Sequence, residues 1–496
     1  MGVIIRQGLK ATIVSYLGVL FGAINNLYFF PMYLGKEGMG LMNMIYAASI
    51  LFLPILQLGF PSAIIKFFPI LRDKPYLGSF ISYTFILPLV IYGVFFLLWP
   101  FINDLFALVF SQNAELIYQN IFWVLPLVGI LVFMNIFEAF ARVNYRIAVP
   151  AFLRTVVWRL LLSFFVFLIG VGFFSSDYLV PLYVLSWFII FLISAIYATW
   201  IGKLKPALNL SFFKTKYLKE FNLFSGYAVP LAAGAIVALR VDQLMVASEK
   251  GTAAVGVLSL AIYFSALVEI PKRSVVSIIQ SVLSEAFKNN NMDEVERLYK
   301  RSSLNLLLIG GSLLTLICVS IEEVFSIIPR SEEFVVAIPA VFFYGLAKVI
   351  DMGAGCNQEV IAFSKYYRAN LVFQFIFLLL AITTNFVLIP EYGVTGAAIA
   401  TCFSMLVFNL MRYLYLYKIM GIQPFTKMSL FVVSILCVFF LIGKFITFDI
   451  HPIISILIKS LIVGVPMFII FYFTKASYEI NVFINRTLKT FKRRRD

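Results

Sequence analysis

Long apolar stretches alternate with short polar connections over almost the whole chain. Apolar stretches of about 20 or more residues recur from Ala11 to Thr474, which is long enough for a helix to cross the hydrocarbon core of a bilayer. The pattern predicts an all-α integral membrane protein. About fourteen transmembrane helices are expected, at residues 11–33, 42–66, 77–102, 117–141, 149–172, 178–201, 221–247, 253–284, 303–328, 334–362, 368–389, 394–417, 428–447 and 453–474.

The basic residues are distributed unevenly between alternate connections. One set of connections, which includes both termini, carries 29 of the 39 Lys and Arg residues, whereas the opposite set carries four: Lys36, Lys250, Arg330 and Lys444. Cytoplasmic connections of membrane proteins are enriched in Lys and Arg. The chain is therefore predicted to be multi-pass, with both termini in the cytoplasm.

Two stretches of the sequence resemble each other at a shift of 216 residues. Residues 33–49 read YLGKEGMGLMNMIYAAS and residues 249–265 read EKGTAAVGVLSLAIYFS, so Gly40 aligns with Gly256. The longest polar connection follows the sixth span. We therefore expect two six-helix lobes of like orientation, an arrangement in which transporters bind substrate between the halves.

These features predict the domain organisation. Its bounds are 1–202 for an N-terminal six-helix lobe, 203–220 for a cytoplasmic linker, 221–420 for a C-terminal six-helix lobe, 421–475 for two additional helices, and 476–496 for a basic cytoplasmic tail.

The composition argues against a soluble protein. Hydrophobic residues make up 62% of the chain and charged residues 13%, against about 45–50% and 25% in soluble domains. The net charge of +15 comes from basic residues that lie between apolar spans. Nucleic acid is therefore not a predicted partner, whereas membrane lipids are.

Motifs for catalysis are absent from the sequence. It contains no P-loop, HExxH or CxxC pattern, and its only histidine, His451, falls in a predicted outer loop. No catalytic residue, metal site or cofactor is predicted. These observations favour a transporter over an enzyme.

Charged residues inside the predicted spans are candidate site residues, because each costs at least about 2.5–3.5 kcal/mol to insert. Arg240, Arg159 and Lys348 are the candidates for a cationic cavity that binds an anionic substrate.

Three acidic residues are candidates for binding a coupling ion, H⁺ or Na⁺: Asp242, Glu269 and Asp351. A structural role is open as well. Lys348 and Asp351 are three residues apart on one helix and can pair with each other.

The sequence also resembles a known family. From Ile389 it reads IPEYGVTGAAIAT, with an outer turn at Pro390 and Gly393 and small residues at the start of the next helix. This stretch resembles one in bacterial polysaccharide, or O-antigen, flippases of the Wzx type, which belong to the multidrug/oligosaccharidyl-lipid/polysaccharide (MOP) exporter superfamily. The outer turn LGKEGMG at residues 34–40 and LGF at residues 58–60 are similar too.

The resemblance implies a MOP/MATE-like fold and a secondary transporter of the bacterial inner membrane. Such flippases move an undecaprenyl-diphosphate-linked oligosaccharide across the membrane by alternating access, for lipopolysaccharide or exopolysaccharide synthesis. The alternatives are a lipid II flippase of peptidoglycan synthesis, whose branch also has fourteen spans, and a multidrug or cation antiporter of the same superfamily. A membrane-embedded polysaccharide polymerase or ligase is less favoured, because every predicted outer loop is short.

Overall fold

The computed structural model describes Val14 and residues 17–110, 115–144, 146–202, 204–207, 209–477 and 481–482. Arg6 and Lys10 of the basic N-terminus and most of the predicted basic tail lie outside the described residues. Within these ranges, eleven helical stretches are long and apolar enough to cross a membrane. The predicted count of fourteen spans stays a prediction.

Three of these long helical stretches contain a glycine whose backbone is not helical. Gly35 has φ 62°, Gly251 has φ 80° and Gly393 has φ 57°. Residues with a side chain avoid this left-handed region, whereas glycine adopts it at little cost. All three glycines lie where the sequence predicts outer turns, between spans one and two, seven and eight, and eleven and twelve.

The chain divides into two compact units, Met1–Ser259 and Leu260–Asp496. The predicted lobe and linker bounds stay predictions. The first unit holds a π-turn at Asn25–Phe29 and helices α1 (Phe30–Leu56), α2 (Phe60–Leu71), α3 (Leu77–Phe110), α4 (Glu115–Asn120), α5 (Val124–Val143), α6 (Ala148–Phe152), α7 (Trp158–Gly170), α8 (Leu179–Gly202) and the first part of α9 (Lys216–Lys288).

The second unit continues α9 and holds the remaining helices. These are α10 (Met292–Val319), α11 (Ile321–Ile327), α12 (Ser331–Phe334), α13 (Ile338–Gly353), α14 (Asn357–Phe363), α15 (Ala369–Met420), α16 (Lys427–Phe445) and α17 (Pro452–Phe473).

Part of the predicted linker lies against the start of α3. The backbone N–H of Ala207 donates to the carbonyl of Gly78 at 3.1 Å, and the Ser82 hydroxyl donates to the carbonyl of Ala207 at 2.8 Å. Phe212 is fully buried, with its ring edge-on to Phe80. This segment is therefore fixed to the first unit by hydrogen bonds and aromatic packing.

The first unit also contains a backbone crossing at two glycines. A Cβ placed on Gly40 would lie 1.9 Å from the carbonyl oxygen of Thr252, and a Cβ on Gly256 would lie 1.8 Å from that of Lys36. Both distances are far inside van der Waals contact, so only glycine fits at either position. The shift of 216 residues that aligns the two stretches also relates the two contacts to each other.

In the second unit, the core lies between α10, α13, α16 and α17. Met352, Val432 and Val463 are buried together in it. Lys459 of α17 forms an ion pair with Glu323 of α11, and the Ser455 hydroxyl donates to the same carboxylate at 3.1 Å. The two C-terminal helices thus belong to the core of this unit.

The glycine crossing gives a test of the packing. We expect Gly40→Ala to destabilise the protein by about 1–3 kcal/mol, because the added methyl meets a backbone carbonyl that can move only with its helix. The measurement is the thermal midpoint of the detergent-solubilised protein. Gly93→Ala is the matched control, since nothing lies within 4 Å of a Cβ at Gly93. Equal midpoints for the two variants would contradict the crossing.

Candidate functional site

Aromatic rings from three helices meet in the first unit. Tyr46 of α1 stacks on Trp187 of α8 with ring centroids 5.8 Å apart and planes 13° apart. Trp158 of α7 lies 4.6 Å from Trp187, and its indole N–H donates to the hydroxyl of Ser186 at 3.1 Å. Trp187 is buried, whereas Tyr46 and Trp158 are partly exposed.

Arg240 lies against this aromatic cluster. The Cζ atom of its guanidinium is 5.6 Å from the centroid of the Tyr46 ring, a distance at which a cation is attracted to the ring face. Its Nη1 also donates to Oε1 of Gln243 at 3.0 Å. The side chain is partly exposed. The structure thus places Arg240 beside aromatic rings, with a neutral amide as hydrogen-bond partner.

Asp242 is buried two residues further along α9. One of its carboxylate oxygens accepts the backbone N–H of Gln243 at 2.8 Å. Residues two apart on a helix point to different sides. Asp242 and Arg240 are therefore close in sequence but face different surroundings.

A second arginine, Arg154, reaches the same aromatic cluster. It lies in a π-turn, Leu153–Val157, and its Cζ is 6.0 Å from the Trp187 ring centroid. Its Nη1 lies 3.2 Å from Oδ1 of Asn135 and 3.4 Å from Oε2 of Glu138. Nη2 of Arg142 lies 3.4 Å from the same carboxylate oxygen.

The site candidates chosen from the sequence did not include this group, although Arg154 falls inside the predicted span 149–172 and Arg142 directly follows the span 117–141. The signal that points to it is Glu138, an acidic residue inside the predicted span 117–141, three residues from its end. A carboxylate in that position requires a cationic partner. The two arginines that follow it in the chain supply that charge.

Arg159, predicted as a candidate for the cationic cavity, lies against backbone carbonyls. Its guanidinium lies across Gly18 and Gly22, and its Nη1 donates to the carbonyls of Gly18 at 2.7 Å and Thr155 at 2.8 Å. The carbonyl of Arg159 in turn accepts a hydrogen bond from Asn25 at 3.2 Å. These contacts join the first helix of the chain to α7. They give Arg159 a role in helix packing.

In the second unit, the predicted charges form two ion pairs between helices. Lys348 of α13 pairs with Glu269 of α9 at 2.7 Å, and Asp351 of α13 pairs with Lys272 of α9 at 2.5 Å. Each helix carries one acid and one base three residues apart, in opposite order. The pairing therefore joins two helices, whereas the sequence left open a pair between Lys348 and Asp351 on one helix.

Arg412 is also buried in the second unit. It falls near the inner end of the predicted span 394–417, was not among the candidate site residues, and lies inside α15 with 2% of its surface exposed. Its Cζ is 3.8 Å from the centroid of the Phe408 ring, and its Nη1 donates to Gln358 at 3.4 Å.

An apolar groove of about 810 Å³ lies on the second unit. It is lined by side chains of α10, α13, α15 and α16, among them Leu314, Phe342, Val433 and Cys437. Along α16 it extends from just before the helix to Leu441. At 1.5 Å per residue, this is roughly 24 Å. Over the described ranges, no cluster of His, Cys, Asp or Glu that could hold a metal ion was found.

Residues 5–284 match the family described as "Polysaccharide biosynthesis protein", which is more than half of the chain. The chain belongs to this family. No curated protein matches it in sequence. The match confirms the resemblance to polysaccharide flippases.

Solved structures show the same fold at low sequence identity. The lipid II flippase MurJ in an inward closed conformation is 17% identical, with a TM-score of 0.72, and the match covers 94% of this chain and 99% of that one. A multidrug resistance MATE family transporter of the MOP superfamily, in an inward-facing conformation, is 16% identical with a TM-score of 0.62, covering 85% and 95%. A MOP superfamily transporter from Pyrococcus furiosus is 16% identical with a TM-score of 0.58, covering 88% and 96%. The all-helical MOP/MATE-like membrane fold is thus confirmed.

The paired charges of the second unit can be tested by a double-mutant cycle. Lys272→Ala and Asp351→Ala should each lower stability by about 3–5 kcal/mol, because each leaves a charge unpaired inside the protein. The double variant should recover much of this loss. Thermal midpoints in detergent provide the measurement.

An exposed pair serves as the control for that cycle. Lys300 and Glu296 lie 2.6 Å apart on the surface of α10, and their side chains are 38% and 33% exposed. Removing one of these partners should cost less than about 1 kcal/mol. Additive effects of Lys272→Ala and Asp351→Ala would show that their pairing contributes nothing.

Proposed function

We propose that this protein flips a polyprenyl-diphosphate-linked oligosaccharide across the bacterial inner membrane by alternating access, with both termini in the cytoplasm. Undecaprenyl is the proposed lipid, and H⁺ or Na⁺ the proposed coupling ion. The observation that carries the proposal is the apolar groove of the second unit, because it provides a binding surface for a hydrocarbon chain.

The groove has the chemistry of a lipid-tail site. Its lining is almost wholly apolar, with polar side chains such as Thr315, Thr426 and Ser429 in the minority. A lipid tail is as apolar as the side chains of membrane helices, so an apolar groove can be filled by a lipid chain as well as by another helix. An open groove of this length therefore fits a long lipid chain. One of its walls is α16, the first of the two helices beyond the predicted twelve-helix plan.

Binding of the diphosphate headgroup is proposed for Arg240 and the neighbouring aromatic rings of the first unit. Arg240 offers a planar fork of donors that matches phosphate oxygens. Tyr46 and Trp158 are partly exposed, pack on the buried Trp187, and offer aromatic surface for packing against sugar rings. Lys348, by contrast, is held by Glu269. We therefore assign the diphosphate to Arg240 ahead of Lys348 or Arg159.

Coupling is assigned to the acidic residues inside the spans. Glu269 and Asp351 are each paired with a lysine, so protonation of either carboxylate would release a lysine on the facing helix. Asp242 is buried two residues from Arg240 in the chain and is the third candidate. All three remain candidates for the ion.

Lipid II is the second candidate substrate. The TM-score of 0.72 to a lipid II flippase favours it, although an identity of 17% speaks for the fold alone. The family description favours a polysaccharide precursor. The lipid-linked precursor that accumulates in a deletion strain separates the two: an oligosaccharide supports the proposal, and lipid II supports the alternative.

The groove is tested through a native cysteine. Cys437 is exposed and lines the groove, whereas Cys318, Cys356 and Cys402 are buried. In nanodiscs, polyprenyl diphosphate should slow maleimide labelling of Cys437 severalfold, because the lipid chain covers the thiol. The control variant Phe386→Cys in a Cys437→Ser background places a thiol at a position 70% exposed and outside the groove lining, and its labelling should not slow.

A transport assay completes that test. Cys437→Trp fills part of the groove and should slow flipping of a fluorescent lipid-linked oligosaccharide in proteoliposomes. Unchanged labelling of Cys437 together with normal flipping by Cys437→Trp would refute the lipid-tail site.

Arg240 gives a second prediction. Arg240→Ala should lose most flipping while the protein still inserts, and Arg240→Lys should keep part of it, because lysine retains the charge but lacks the fork. Flipping in proteoliposomes at matched protein amounts is the measurement. Arg273→Ala, which removes an exposed arginine of α9, is the control. Normal flipping by Arg240→Ala would remove Arg240 from the binding site.

A further inference from the structure

We infer that Arg154 is a second arginine for the substrate's diphosphate, and that Glu138 is a built-in counter-ion which holds the Arg154 guanidinium until a phosphate displaces it. The inference rests on the proposed function and extends it to residues that were not among the candidates predicted from the sequence. Arg154 is thereby a binding residue, and Glu138 acts through it as a positioning residue.

The contacts between Arg154 and its acidic partner are loose. Charge-assisted hydrogen bonds between guanidinium and carboxylate are usually about 2.7–2.9 Å long, whereas Nη1 of Arg154 lies 3.4 Å from Oε2 of Glu138. Arg142 reaches the same oxygen, also at 3.4 Å. The other oxygen, Oε1, is buried without a hydrogen-bond partner among the described residues. Two arginines thus share one oxygen, and neither is held tightly.

Arg154 has three polar neighbours, the side chains of Glu138, Asn135 and Tyr46, and it contacts the first two through one nitrogen. Nη1 contacts Glu138 and also Asn135, whose own side-chain amide donates to Gln57 at 3.1 Å. A guanidinium carries donors on three nitrogens. With five N–H donors and three polar neighbours, the Arg154 guanidinium keeps donors for another oxyanion.

The two side chains of the Arg154–Glu138 pair differ in their exposure to an incoming anion. The Arg154 side chain is 30% exposed, while that of Glu138 is 5% exposed. An incoming anion therefore meets the arginine, with the carboxylate behind it. Repulsion keeps the anion from the carboxylate, so exchange of partners takes place at the guanidinium.

The aromatic stack brings Arg154 into the neighbourhood of Arg240. Arg154 lies against the Trp187 ring and Arg240 against the Tyr46 ring, and the two rings stack on each other. A diphosphate has two anionic groups. Two guanidiniums on adjacent rings match such a ligand better than one does.

Local backbone geometry contributes to the placement of Arg154. The π-turn at Leu153–Val157 is wider than an α-helical turn and changes the direction of the side chains that it carries. Such turns occur mostly as single interruptions within helices and are frequent at functional sites.

Binding measurements on the full chain in nanodiscs test the inference. The probes are polyprenyl diphosphate and the neutral polyprenol, and the readout is the fluorescence of the tryptophans, of which Trp158 and Trp187 lie next to Arg154. Arg154→Ala should weaken binding of the diphosphate roughly tenfold and Arg154→Lys less, because a charge-assisted bidentate contact is lost in the first and partly kept in the second. Binding of polyprenol should not change in either variant.

Glu138→Gln gives the result that separates this role from simple packing. Removing the competing carboxylate should tighten binding of the diphosphate by a few-fold, and slow its release, since Arg154 no longer has to leave a charged partner. An ion pair with a purely structural role predicts the reverse: a lower thermal midpoint and equal weakening for both probes. Arg72→Ala is the control, since Arg72 is an exposed arginine of the same unit that donates to the neutral Asn144 at 2.7 Å.

The outcomes are distinguishable. Normal diphosphate binding by folded Arg154→Ala, or weaker binding by Glu138→Gln, overturns this inference while the proposed function stands. If the unmodified protein binds neither polyprenyl diphosphate nor polyprenol, the proposed function fails and this inference fails with it.

Discussion

A polar group without a partner is costly in hydrocarbon, and the rest of this structure depends on that constraint. Backbone N–H and C=O groups escape the cost by forming helices, which satisfy their hydrogen bonds within one segment. Charged side chains have no such internal solution. Each of them has to find an opposite charge, a row of carbonyls, an aromatic face or a ligand.

The arginines of the first unit illustrate different solutions. Arg159 is satisfied by backbone carbonyls where helices approach closely over Gly18 and Gly22, and this use of its donors joins the helices. Arg240 contacts the Tyr46 ring and the neutral amide of Gln243, and neither of these neighbours carries a negative charge. Arg154 lies between these cases, since its carboxylate is present but distant. The more weakly an arginine is held by the protein, the better suited it is to bind a substrate.

The membrane fold and the family could be predicted from the sequence, because both depend on short-range patterns of residues that can be recognised without the tertiary structure. Apolar length marks a span, and a glycine with positive φ marks a turn, as at Gly251 and Gly393. The candidate site was predicted less completely. Lys348 and Asp351 are correctly spaced to pair with each other, yet each pairs with α9, and only the tertiary packing decides between these partners. The π-turn under Arg154 leaves no residue signature that could have shown where that side chain would point.

The reciprocal crossing at Gly40 and Gly256 links the effects of substitutions at the two positions. Each glycine lies over the carbonyl that precedes the other glycine by one helical turn, so the two contacts have equal geometry and are linked through the same pair of helices. Once a methyl group at one glycine has pushed the helices apart, the clash at the other is already relieved. The two positions are therefore coupled: once the first glycine is lost and the helices have moved apart, the crossing no longer requires glycine at the second.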